Sequence, residues 1–119
     1  MKRTENKKDT IEKKKKINAN NVSQYQIQDS FCINNIDAAT ALYHPIKSRI
    51  MEILVKKEAS VYDITKETSL NPGTVKRHME DLLKNDLIVL SREILNPYNM
   101  IVKLYRSAAK SFEIRLRWP

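Results

Sequence analysis

Ser69-Leu70-Asn71-Pro72-Gly73-Thr74-Val75-Lys76-Arg77-His78-Met79-Glu80-Asp81-Leu82-Leu83-Lys84-Asn85-Asp86-Leu87-Ile88 reads as a tight turn feeding a capped helix. Asn71 offers a side-chain acceptor at the cap, and Pro72 brings a ring whose φ already suits the first turn. Gly73 and Thr74 keep the helix tip small, so it can approach a groove closely. Val75, Met79, Leu82 and Leu83 make an apolar stripe, with Thr74, Lys76, Arg77, Glu80, Asp81 and Lys84 on the other sides. Asn85-Asp86 ends the helix, both residues tolerating a left-handed backbone.

An ordinary amphipathic surface helix would show the same stripe. The order of charge is what separates the two readings. Lys76 and Arg77 sit in the N-terminal half and Glu80 and Asp81 one turn later, whereas the helix dipole favours the reverse by a few tenths to about 1 kcal/mol per group. Stability does not explain that order. Phosphates and base edges met by the first half of a recognition helix do.

Upstream, Asn35 or Asp37 can cap a short helix holding Ile36, Ala39, Leu42 and Tyr43, which Pro45 stops and replaces with a second helix. That helix is expected to bury Ile46, Ile50, Ile53 and Leu54, with Met51 beside them, and to turn Lys47, Arg49, Glu52, Lys56 and Lys57 outward. His44, at the junction, is read as a local hydrogen-bonding group. Ala59-Ser60-Val61 is extended enough for a small strand. Ser60 caps a helix over 61–68 with Val61, Ile64 and Tyr62 inward, and Leu70 is buried between two helices.

Downstream, Leu87 to Leu90 and Met100 to Tyr105 are apolar and β-prone, and Leu95-Asn96-Pro97-Tyr98-Asn99 is a turn between them. This hairpin follows the recognition helix as a wing, with Arg92 and Lys103 on its flanks and Tyr98 at its tip; contact with a flanking groove and a solvated tip are both open. Phe112, Ile114, Leu116 and Trp118 alternate with Glu113, Arg115 and Arg117, a period of two that predicts a terminal strand. Its apolar face has to be covered by the sheet or by a second subunit.

Residues 1–16 hold eight basic and three acidic groups, +5 of the chain's +8. The remaining 103 residues carry 14 basic and 11 acidic groups, so the site must be judged by where charges sit. Residues 1–21 read as a flexible basic arm, either a solvated tail or a strap along phosphates, and 22–119 as one domain. From Val22 to Ile33 the apolar residues follow neither period, and a helix or an extended strap both fit.

One cysteine, Cys32, excludes an intrachain disulfide and fits a reducing compartment. No run of 18 apolar residues exists, and no secretory signal is seen, so a cytoplasmic protein is expected. The single glycine excludes a standard Walker A loop and a dinucleotide fingerprint. Two histidines 34 positions apart suggest neither a zinc site nor a nucleophile and base. No enzyme, cofactor or small-molecule ligand is expected.

From Ile36 to Tyr105 the sequence resembles a winged helix-turn-helix of the ArsR type. The carrying segments are Ala41-Leu42-Tyr43-His44-Pro45-Ile46-Lys47-Ser48-Arg49-Ile50-Met51-Glu52-Ile53-Leu54 and Thr74-Val75-Lys76-Arg77-His78-Met79-Glu80-Asp81-Leu82. The resemblance implies an α+β winged helix-turn-helix, with three to four helices, a small antiparallel sheet as wing and a C-terminal strand. By that likeness Thr74, Lys76 and Arg77 face DNA and His78 is structural. An archaeal or archaeal-virus origin goes with the same expectation. Metal-sensing members carry cysteines on the helix before the turn, where this chain has Ser60 and Tyr62. A long terminal dimerisation helix is replaced by the alternating strand, which moves the dimer interface toward 22–43.

The expected function is sequence-specific binding of double-stranded DNA by a homodimeric transcription regulator. Asn71, Gly73, Thr74, Lys76, Arg77, Arg92, Tyr98 and Lys103 are the expected contacts. A sequence-tolerant architectural or partition protein, and a winged-helix protein-interaction module, are the competing readings.

Overall fold

Side-chain acceptors start each helix, taking up backbone N–H groups that a first turn leaves unpaired. Asn35 Oδ1 accepts from the Ala38 N–H at 2.8 Å and opens α1 (Ile36–Tyr43). His44 Nδ1 accepts from the Ile46 and Lys47 N–H groups at 3.1 and 3.4 Å and opens α2 (Pro45–Lys56). Ser60 and Asp63 bond reciprocally at 3.1 and 3.0 Å, a capping box for α3 (Val61–Thr68). Asn71 Oδ1 accepts from Gly73 at 2.8 Å and Thr74 at 3.4 Å, opening α4 (Pro72–Lys84).

The computed structural model describes residues 27–117. The basic arm expected over 1–21, residues 22–26 of the segment from Val22 to Ile33, and Trp118 lie outside them. Strand β1 (Gln28–Ile33) precedes the helices; β2 (Ile88–Leu95), β3 (Ile101–Ser107) and β4 (Ala109–Ile114) follow.

The helices converge on one core, in which Ile50, Leu54, Ile64, Val75, Leu82 and Leu87 are fully enclosed. The stripe read along α4 is therefore its buried side, Leu83 being half-buried. Two expectations are corrected. Tyr62 is 67% exposed, not inward, and its ring lies 5.5 Å below the Lys66 ammonium. Lys47 is only 8% exposed, not outward.

Strands β2 and β3 form the expected antiparallel hairpin, pairing Ile88 with Ser107 through Leu95 with Ile101. β2 runs five residues beyond the expected Leu90 end, because a bulge between Leu90 and Arg92 lets the strand carry its polar Ser-Arg-Glu run and keep pairing. Ala59 bridges to Tyr105, the extent to which the expected strand there forms.

Strand β4 does not join the hairpin. It pairs in parallel with β1, from Gln28 with Ala109 to Ile33 with Ile114, and Phe31 meets Phe112 edge to face at 5.9 Å. The terminal strand thus starts at Ala109, not Phe112, and ends at Ile114. Ser107 turns the chain from β3 into it: its hydroxyl donates to the Ala109 carbonyl at 2.6 Å and accepts the Ala109 N–H at 3.3 Å. Beyond Ile114 the pairing is continued by the backbone bond from Arg115 N–H to the Ile33 carbonyl at 2.8 Å.

Candidate nucleic-acid interface

The turn between α3 and α4 is built by a threonine that the sequence did not single out. The buried Thr68 hydroxyl donates to the Ile64 carbonyl at 2.7 Å and accepts the Leu70 N–H at 3.3 Å. Ser69 then takes a left-handed backbone, φ 61°, and redirects the chain into the Asn71 cap. A Cβ on Gly73 would stand 3.1 Å from Asn71 Oδ1, closer than the cap tolerates without giving way. The α4 tip is small because its cap needs that space.

Past the tip, Thr74 is half-buried and Lys76 and Arg77 are exposed. Neither basic residue forms an ion pair within the described residues. The acids one turn on behave differently. Glu80 is exposed, but the Asp81 carboxylate is held 3.3 Å from the Lys47 ammonium of α2. The first half of α4 therefore presents positive charge while part of the later negative charge is satisfied internally.

Lys47 also stands 3.1 Å from His78 Nδ1. His78 is buried, and its ring lies 4.8 Å from that of His44, tilted by 44°. Burial, then the charges of Lys47, His44 and Arg77, push the His78 pKa below the usual histidine range, and Asp81 opposes them. Neither contact of Lys47 was expected. The spacing held a signal, since Lys47, Ile50, Met51 and Leu54 share one helical face and all are buried.

On the wing, Asn96 organises the tip, its Oδ1 accepting the Tyr98 and Met100 N–H groups at 2.9 Å each while Asn99 takes φ 64°. Tyr98 is 82% exposed there. Lys103 is exposed and stands opposite Glu93 in the hairpin register. Arg92 is engaged elsewhere. Its guanidinium bonds Glu58 at 2.9 and 2.7 Å, and Ser91 donates to the same carboxylate at 2.7 Å. Burial would raise the Glu58 pKa, but these bonds and the charges of Arg92 and Arg106 hold it below its ordinary value.

The structure thus gathers Asn71, Gly73, Thr74, Lys76 and Arg77 on one helical end, sets Tyr98 and Lys103 on the wing, and gives Arg92 to its base. Among the described residues no group of three or more His, Cys, Asp and Glu side chains is placed to hold a metal ion. No helix there is long and apolar enough to cross a membrane.

Four helices, the second pair joined by a tight turn and followed by a β-hairpin, define a winged helix-turn-helix protein. Residues 44–89 match the family model described as bacterial regulatory protein, arsR family. No curated protein sequence matches the chain. The fold is similar to the homodimeric winged helix-turn-helix DNA-binding domain from Mycobacterium bovis, with TM-score 0.50 and 20% identity over 62% of this chain and 63% of that one. It is similar to the transcriptional repressor BigR from Xylella fastidiosa, with TM-score 0.50 and 20% identity over 60% and 64%. Reduced HlyU from Vibrio cholerae gives TM-score 0.52 and 16% identity over 61% and 70%. At such identities the likeness is one of fold. These structures come from bacteria and lend no support to an archaeal origin.

Proposed function

We propose that this chain is a DNA-binding transcription regulator that reads double-stranded DNA as a homodimer, with α4 in the major groove. The observation that carries the reading is the first half of α4: Lys76 and Arg77 stand exposed, without ion pairs among the described residues, beside a capped and narrow tip. The match of residues 44–89 to the arsR family model supports it. Arg77 is assigned the leading base contact and Lys76 and Thr74 the phosphate or neighbouring base contacts. The Asn71 and Gly73 tip brings backbone close to the strand, and Lys103 and Tyr98 reach the flank. Arg92 supports the wing through Glu58 and contributes to phosphate binding only through that base. Residues 1–21 are assigned to the phosphate backbone outside the groove, with 22–119 as the domain and the cytoplasm as its compartment.

The second copy is assigned to the face between α1 and β4. There a groove of about 390 Å³ is lined by Ile36, Ala39, Thr40, Tyr43, His44, Ile114 and Leu116, without a Lys, Arg, Asp or Glu. The homodimeric M. bovis domain of similar fold supports a paired state.

Selection of bound duplexes from a random pool tests the whole reading, and an inverted repeat is the expected product. With about six to eight phosphates neutralised per dimer, log K falls against log salt with a slope of roughly −5 to −7. Arg77→Ala lowers specific affinity by about 1 to 3 kcal/mol and relaxes preference at one position of each half-site. Enrichment of no sequence would favour the architectural role, and no shift of any duplex at low salt would favour a protein partner.

A further inference from the structure

The cluster of Lys47, His78, Asp81 and His44 is more than packing requires. A methionine would fill the space of a buried lysine without the cost of enclosing an ammonium. Lys47, on α2, instead spends two of its protons on α4. It is 3.1 Å from His78 Nδ1 and 3.3 Å from Asp81 Oδ2, two groups three residues apart on the same helical face. Two points on one face fix both the rotation of α4 about its axis and its slide along α2. Arg77 adjoins His78 in sequence and faces out. Any roll of α4 carries Arg77 and Lys76 with it.

This hold depends on a protonation state. A lysine ammonium has no acceptor, so His78 Nδ1 must carry the lone pair and Nε2 the proton. Protonated at Nδ1, His78 would lose the bond and set a cation against Lys47. The charged and titratable groups acting on its ring are Lys47 from α2, His44 from the junction of α1 and α2, and Arg77 and Asp81 from α4 itself. Burial resists protonation most, the first three add to it and Asp81 alone opposes, so the neutral state persists below the ordinary histidine range.

We infer that Lys47 is the positioning residue of the reading helix, and that it holds α4 in register only while His78 is neutral. The inference rests on the DNA-binding reading for its consequence: DNA affinity falls with acidification before the fold is lost.

The test uses the full chain and the duplex selected above, titrated at constant ionic strength from about pH 8 to pH 5. Wild-type affinity is expected to hold near neutrality and to drop in the acid limb. Lys47→Met is expected to bind about tenfold more weakly at neutral pH, the size of one lost positioning bond, and Lys47→Arg to recover part of that loss. His78→Gln keeps an acceptor but cannot titrate, and it is expected to lose the acid limb. Since only His44 and His78 are present, this variant isolates the one ring. Wild-type affinity in Lys47→Met, or an acid limb intact in His78→Gln, overturns the inference.

Amide exchange of α4 in the free protein separates the two failures. Should no duplex bind, the DNA reading falls, and the positioning role then stands on whether α4 protection drops on acidification in wild type and not in His78→Gln. Protection equal in all variants at every pH overturns the role by itself. Lys47→Met that fails to fold leaves the decision to Lys47→Arg and His78→Gln.

Discussion

Glu58 shows how a single carboxylate sets the wing on the helical body. It lies just after α2, yet accepts from Ser91 and Arg92 on β2, 33 and 34 residues away. Glu58→Ala removes the bonds to both residues and leaves a half-buried guanidinium with less compensation, so a loss of about 1 to 3 kcal/mol in urea unfolding is expected. The dependence on pH follows from the lowered Glu58 pKa. Ionised Glu58 contributes its full stability above the ordinary 4.5, and that contribution disappears as pH falls through the lower folded value. Thermal melts of wild type and Glu58→Gln should therefore converge in acid. None of this was visible in the sequence, because the partners are distant in the chain. Lys47 differs, since its spacing put it on the buried face while its residue type argued for solvent. Its partner 31 residues on settled the contest for burial. Arg77 and Lys76 were legible because the dipole argument needs only neighbours.

At the scale of elements, what is local was legible and what is paired across the chain was not. Asn35, Ser60 and Asn71 cap their helices where the sequence placed the starts, since a cap acts within three residues. Asn71→Ala is expected to cost about 1 kcal/mol and to fray the first turn of α4. Urea midpoints would register the cost, and faster exchange at Gly73 and Thr74 would locate it. A variant whose α4 first turn stays protected would mean that the Thr68 turn alone fixes the tip. The alternation after Phe112 announced a strand but not its partner. Parallel pairing of β1 with β4 joins Gln28 to Ala109, a contact set by neither turn chemistry nor period. Alternation also overstated the strand, because Leu116 keeps the parity of Ile114 after pairing has ended.

For the whole molecule, the question is what covers α1 and the small parallel sheet. The α1 sequence Ile-Asp-Ala-Ala-Thr-Ala-Leu-Tyr has one charged residue and is apolar on more than one side, a composition suited to a buried helix. Ala38 and Ala41 face the core, yet Ile36 and Tyr43 are 64% and 76% exposed, seven positions apart on the groove side. Parallel pairs are ordinarily covered on both faces, and two-stranded sheets are marginal alone. Leu116, 48% exposed, extends the same apolar surface. A second copy would cover ridge and groove together through one two-fold contact, since both lie on this single face. Placing a carboxylate there, as in Tyr43→Glu, should move sedimentation equilibrium toward monomer while the far-ultraviolet spectrum stays that of the folded chain. A monomer neutralises half the phosphates, so the salt slope should fall to roughly −3 and the preference for an inverted repeat should give way to a single half-site. Retention of the dimer mass and the full slope would assign the pairing to another face and leave the groove to a different occupant.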